Sequence, residues 1–249
     1  AGNLVANSFA FTNGTPSGTG HRMTISTGSA TMSGNVTSTG QSGVIQFTGA
    51  GLMRLGGGFF TAANGVLTMV AGSTVEYNSV AAQTVQAHVY QNLTLSGGNT
   101  KTLSVNATIS GNLLVSDNTT FAIGGIVLVV TGTTTVNTNG TCSFTSTAGN
   151  KTFTGLVTIN SGGTWSNLIN ESVTFQGGII NNGTLNAGTA IQTFNTNSQT
   201  LTGTFTIPSV TVTGAAVVLT NTNTLTVSTA LGGTGRITQG AGATLNIGG

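Results

Sequence analysis

Charge is nearly missing from this chain. Across 249 residues only Arg22, Arg54, Lys101, Lys151 and Arg236 are basic and only Glu76, Asp117 and Glu171 are acidic, 3 % of the sequence. A globular domain usually has roughly a quarter of its residues charged. Acid–base and nucleophilic catalysis need titratable groups brought together, so the scarcity argues against an enzyme. The bases are scattered along the chain with no cluster. Neutralising nucleic-acid phosphates requires such a cluster, which excludes that partner.

Other absences narrow the field further. Cys142 is alone, so neither an intramolecular disulfide nor an all-cysteine metal site can form, and a buried small residue is the expectation there. His21 and His88 lack a second ligand at metal-binding spacing and are expected to be exposed; with a single aspartate, calcium-binding nonapeptide repeats are excluded too. No metal and no cofactor is expected. The longest clean apolar run is Ile126–Val130, far short of the ~20 residues of a membrane-spanning helix, so no membrane insertion is expected. Only Pro16 and Pro208 are prolines. No basic, then apolar, leader opens the chain, and Ala1-Gly-Asn fits the terminus of a mature secreted protein.

What the chain has instead is alternation. Leu93-Thr-Leu95-Ser, Leu103-Ser-Val105-Asn, Val157-Thr-Ile159-Asn, Val210-Thr-Val212-Thr and Leu225-Thr-Val227-Ser put apolar residues on one face and hydroxyls on the other, the period-two pattern of a half-buried strand. Turn signals punctuate it at short intervals: Asn-Gly at 13–14, 64–65, 139–140 and 182–183, and Gly-Gly at 97–98, 124–125, 162–163, 177–178 and 232–233. Strong helix formers are scarce, and nothing repeats at 3.6 residues.

Stacked strands whose outer positions are Thr, Ser and Asn avoid the like-charge repulsion that lysine and glutamate columns would create. The sequence also resembles itself: Gln83-Thr-Val85, Leu93-Thr-Leu95 and Leu103 recur as Gln199-Thr-Leu201, Val210-Thr-Val212 and Leu219, offset by 116 or 117 residues. The reading is an all-β, parallel β-solenoid with coils of about 20 residues. It forms a single domain over 1–249, less regular over 1–65 and repeat-bearing over 66–249. The nine phenylalanines Phe47, Phe59, Phe60, Phe121, Phe144, Phe153, Phe175, Phe194 and Phe205 are expected in its interior.

The stretches Val75-Glu-Tyr-Asn-Ser, Gln83-Thr-Val, Tyr90-Gln-Asn-Leu-Thr-Leu-Ser-Gly97, Ile109-Ser-Gly-Asn-Leu-Leu-Val115 and Thr158-Ile-Asn-Ser-Gly-Gly-Thr-Trp165 resemble the repeat region of large secreted bacterial surface proteins. The resemblance spans roughly 70–249. It implies a filamentous, adhesin-like, β-helical protein at the cell surface.

Function is therefore expected to be structural and extracellular: a subunit of an end-to-end stacked fibre, or the stalk of a surface adhesin. The partners expected are other copies of the chain, joined through Leu4, Val5, Phe9 and Phe11 at one edge and Leu245 and Ile247 at the other. Tyr90 and Trp165 are the candidates for contact with surface glycans. No catalytic residue is expected; Asp117 reads as a turn residue with Asn118, and Glu76 as a partner for Lys101. One alternative is a pilin-like sandwich polymerised by a donated strand at residues 3–11. Another is an ice- or glycan-binding solenoid. For ice, Thr202, Thr204, Thr206, Thr211, Thr213, Thr220, Thr222 and Thr224 are available, but their uneven spacing along the chain counts against a regular array.

Overall fold

A computed structural model describes residues 2–12, 21–39 and 43–248. The Asn-Gly pair at 13–14 and Pro16 lie outside them. The alternating segments form strands, and every strand pairing is parallel. Among the described residues there is no helix and 53 % are strand, and the backbone makes about 11 turns of a β-solenoid with coils about 21 residues apart. Parallel ladders throughout overturn the sandwich alternative. Residues 3–11 are not a donor strand: Asn3–Ala6 and Phe9–Phe11 pair with the next coil of the same chain, at Ser29–Met32 and Val36–Ser38.

Each coil contributes to three faces. The first face is one sheet, running from Asn3–Ala6 through Thr74–Tyr77, Asn92–Leu95 and Val157–Ile159 to Arg236–Gln239. The second face holds Phe9–Phe11 and Val36–Ser38, then a six-strand run from Gln83–Thr84 to Thr184–Asn186. It resumes in the distal half of Gln199–Thr206 and continues through Thr224–Val227 and Thr244–Ile247. The third face begins with His21–Ile25, Gly43–Phe47 and Gly65–Thr68 and then runs from Val89–Tyr90 to Ala230–Gly233.

Register turns alternation into columns. On the first face Ala30, Met53, Val75, Leu93, Leu113, Thr134, Val157, Ile179 and Leu201 are successive partners, and all nine are buried. A slip of one residue would turn each strand's apolar set outward, so the buried column fixes the register. The early coils are longer. Asn3 pairs with Ser29 and Ser29 with Leu52, whereas Thr74 pairs with Asn92 only 18 positions on. In the coil of Leu52–Leu55 the run Gly56-Gly-Gly58 replaces a second-face strand. A side chain at Gly57 would sit 2.4 Å from the Gly34 backbone, so only glycine permits that contact.

The interior is aromatic over long stretches. Trp165 packs on Phe144, Phe153 and Phe175, and Phe175 stacks on Phe194 at 5.4 Å. The nine phenylalanines expected inside are all buried. Tyr90 and Trp165 are buried with them, 0 % and 1 % exposed, which removes both as glycan contacts. Each occupies an inward position of its strand, and alternation decides the direction. Phe11 is also buried, at 2 %, whereas Leu4, Val5 and Ile247 are exposed and Phe9 and Leu245 half-buried.

Candidate functional site

The few ionisable groups are dispersed, and most tie neighbouring coils together. Arg54 and Glu76 are register partners on the outside of the first face. Arg54 Nε donates to Glu76 Oε2 at 2.9 Å, and Ser96 Oγ donates to Glu76 Oε1 at 2.7 Å. The expected Glu76–Lys101 pair does not form, because Lys101 points inward. Its Nζ donates to the carbonyls of Ser79 and Ala81 at 2.5 and 3.0 Å, and burial lowers its ammonium to about 8. Asp117 and Asn118 both adopt left-handed backbone, φ 56° and 57°, in the turn expected of them.

Lys151 and Glu171 form a buried pair. Lys151 Nζ donates to Ala148 and Gly149 carbonyls and stands 3.2 Å from Glu171 Oε2. That is a Coulombic contact without hydrogen-bond alignment, and it leaves Oε2 with no hydrogen-bond donor. Burial raises the Glu171 carboxyl; the lysine acts in the opposite direction and does not fully offset it.

His88 is buried, not exposed. Its Nε2 lies 2.9 Å from the Phe60 carbonyl, its ring packs among Phe59, Phe60 and Tyr90, and burial lowers its pKa. Beside it runs a closed loop of hydrogen bonds. Gln86 N–H donates to Tyr77 Oη, and Tyr90 Oη donates to the Gln86 carbonyl at 2.8 Å. The 3.0 Å link between the two phenols therefore runs from Tyr77 to Tyr90. Burial raises both phenols, Tyr77 to about 12. Such groups neither donate nor accept protons near neutral pH. Burial also pushes the Cys142 thiol well up, the opposite of what a reactive thiolate needs. No three of His, Cys, Asp and Glu converge among the described residues.

A recurring dipeptide organises the polar interior. In Gln83-Thr84, Lys101-Thr102, Lys151-Thr152, Gln192-Thr193 and Gln199-Thr200 the long polar side chain is buried and its nitrogen donates to backbone carbonyls near the corners. The corner carbonyls of Ser79, Ala81, Ala148 and Gly149 have no backbone donor, and the strap satisfies them. Gln83 and Lys101 are register partners doing the same job with an amide and an ammonium.

Outside, the second face is the most regular surface. Thr100, Thr120, Thr141, Thr164 and Thr184 are successive register partners. Two residues along each strand, Thr102, Ala122, Ser143, Ser166 and Asn186 form a parallel column. Between Thr184–Asn186 and the next coil the ladder opens into a cleft of about 480 Å³ that Leu168, Leu185 and Pro208 help to line. Beyond it the columns resume as Thr204, Thr224, Thr244 and Thr206, Thr226, Asn246. Most of these residues were not singled out from sequence. Consecutive members of the longer column stand 20, 21, 23 and 20 residues apart, so loop variation disguises a spatially even array. The uneven threonines noted in sequence belong to different faces: Thr211 and Thr213 to the third, Thr220 to the first, and Thr204, Thr206 and Thr224 to the second. The available signal was a threonine two positions before another small polar residue, flanking one inward side chain. Comparison of the chain with family models, with curated proteins and with solved structures returns no match.

Proposed function

We propose that the protein is an extracellular structural rod that extends by end-to-end stacking, as a fibre subunit or a stalk. One observation carries this reading: the solenoid's apolar interior is open at both ends of the described stack. Asn3–Ala6 pairs on one side only, with Ser29–Met32, and leaves Leu4, in register with the buried Ala30, 44 % exposed. Thr244–Ile247 pairs only with Thr224–Val227, and Ile247 is 63 % exposed. Open parallel edges over an exposed apolar interior favour a further coil, and a second copy of the chain supplies one by a heterologous contact that propagates.

The near-absence of convergent titratable groups supports a mechanical over a catalytic role. Partners are thus copies of the chain, and a cell-surface location fits the resemblance to secreted surface repeats. The test is electron microscopy and light scattering of the purified chain over a concentration series. Rods longer than one solenoid are expected, and Val5→Lys with Ile247→Lys should return them to single units, since edge lysines block strand addition. A wild-type chain that stays monomeric at high concentration would overturn the fibre reading.

A further inference from the structure

The outward columns of the second face stand two abreast and are almost wholly untied. Of the outward hydroxyls at Thr100, Thr102, Thr120, Thr141, Ser143, Thr164, Ser166, Thr184, Thr204, Thr206, Thr224 and Thr244, none is tied to a protein partner; only Thr226 is, accepting from Asn246. On the first face Thr202, Thr220 and Thr222 bond within the protein, and Arg54, Glu76, Leu114 and Ile180 break the outer column with charge and bulk. The third face carries one full-length outward column, interrupted at Val129 and ending at Gly232; its Thr152, Thr174, Thr193 and Thr211 are also untied but stand in single file. On the second face the only charged residue of the ranks, Lys101, points inward.

Each rank is also held in place. Lys101, Phe121, Cys142 and Trp165, the residues between the two outward columns, are 0–1 % exposed. The threonine pairs therefore stand on a backbone fixed by core packing and by ladders on both sides. Parallel strands repeat about every 4.8 Å along the axis, and side chains two apart on a strand are separated by about 6.7 Å. Those two repeats approximate the oxygen spacings on a prism plane of hexagonal ice.

We propose that this face binds ice. The threonine hydroxyls, free of internal partners, hold water at lattice spacing, and the methyl groups order the water between them. Immobilising one water costs up to about 2 kcal/mol. At an ice front the water is already ordered, so many weak contacts on a rigid array add instead of competing with that cost. Charge on the face would hold a hydration shell incompatible with the lattice, and none is there. A protein partner would want an apolar or aromatic anchor, and a crystalline polysaccharide would want aromatic platforms. The face offers no aromatic platform, since Trp165 is beneath it, and its apolar side chains Leu168, Leu185 and Pro208 are confined to the cleft.

The test uses the whole 249-residue chain. Ice is grown slowly from dilute protein, partition into the ice is measured, and thermal hysteresis is read on the same samples. The wild type should enter the ice and shape crystals. Thr141→Tyr with Thr164→Tyr places two bulky outward groups in mid-array and should abolish both effects. Thr152→Tyr with Thr174→Tyr, the same change on the third face, should leave them intact. Matching melting curves for the two double variants confirm that both remain folded. Exclusion of the wild type from ice, equal loss in both variants, or sedimentation with crystalline cellulose but not with ice would overturn the proposal.

Discussion

At the residue scale, two buried polar side chains sit in a core column or corner for different reasons. Thr134 lies between Leu113 and Val157, fully buried, and its Oγ1 has no partner. An unpaired buried hydroxyl costs free energy that an isosteric valine does not. Thr134→Val should therefore stabilise the protein by about 1–2 kcal/mol in chemical denaturation, without changing the fold. Lys101 is the converse case: its donors are used, but its charge is disfavoured. The free side chain titrates near about 10.4, and the folded chain near about 8. Between those values the unfolded state holds a proton that the folded state has released, so stability rises with pH across that window and is lower at neutral pH. Lys101→Gln, copying Gln83 one coil away, should keep the carbonyl contacts and flatten this alkaline rise. Lys101→Met should destabilise at every pH, because the Ser79 and Ala81 carbonyls lose their donor.

Strands of three residues such as Lys151–Phe153 and Val173–Phe175 cannot be stable alone, and their stability comes from stacking. The aromatic ladder is the clearest instance. Phe175 contacts Trp165 within its own coil and Phe153 and Phe194 in the coils on either side. Phe175→Ala should cost about 3–5 kcal/mol, measured by denaturant melts, since the rings on either side cannot close the gap. The 116-residue self-resemblance also belongs to this scale. Gln83 starts a second-face strand and Gln199 a first-face strand, while Leu93 lies on the first face and Val210 on the third. What repeats is therefore the strand-and-corner unit, with its inward strap and outward threonine, and not the whole coil. The offset corresponds to no whole number of coils for that reason.

For the whole molecule, the balance of forces is backbone hydrogen bonding and apolar packing, with one half-exposed and one buried ion pair among the described residues. Exposed pairs contribute at most about 1 kcal/mol. Any end-to-end assembly should accordingly be indifferent to salt between about 0.01 and 1 M, over which the screening length falls from about 30 to 3 Å. Rod length measured by light scattering across that range should stay constant. Dissolution of the rods at high salt would indicate that charge, not the open ladder, holds them.

Alternation and turn residues were enough to read the strands, the β-solenoid and the buried phenylalanines, because period two and left-handed corners are local properties written residue by residue. Direction was legible only where an apolar residue alternated with a hydroxyl. Trp165 sits between Thr164 and Ser166 and is inward for that reason, which the reading of it as a glycan contact overlooked. Pairing depends on which coil lies above which. Glu76 therefore meets Arg54, 22 residues away, and not Lys101, which the sequence offered as readily. The same holds for the second face. Its threonines are unevenly spaced along the chain because corner loops differ in length, and only the register imposed by burying one side of every strand sets them in line.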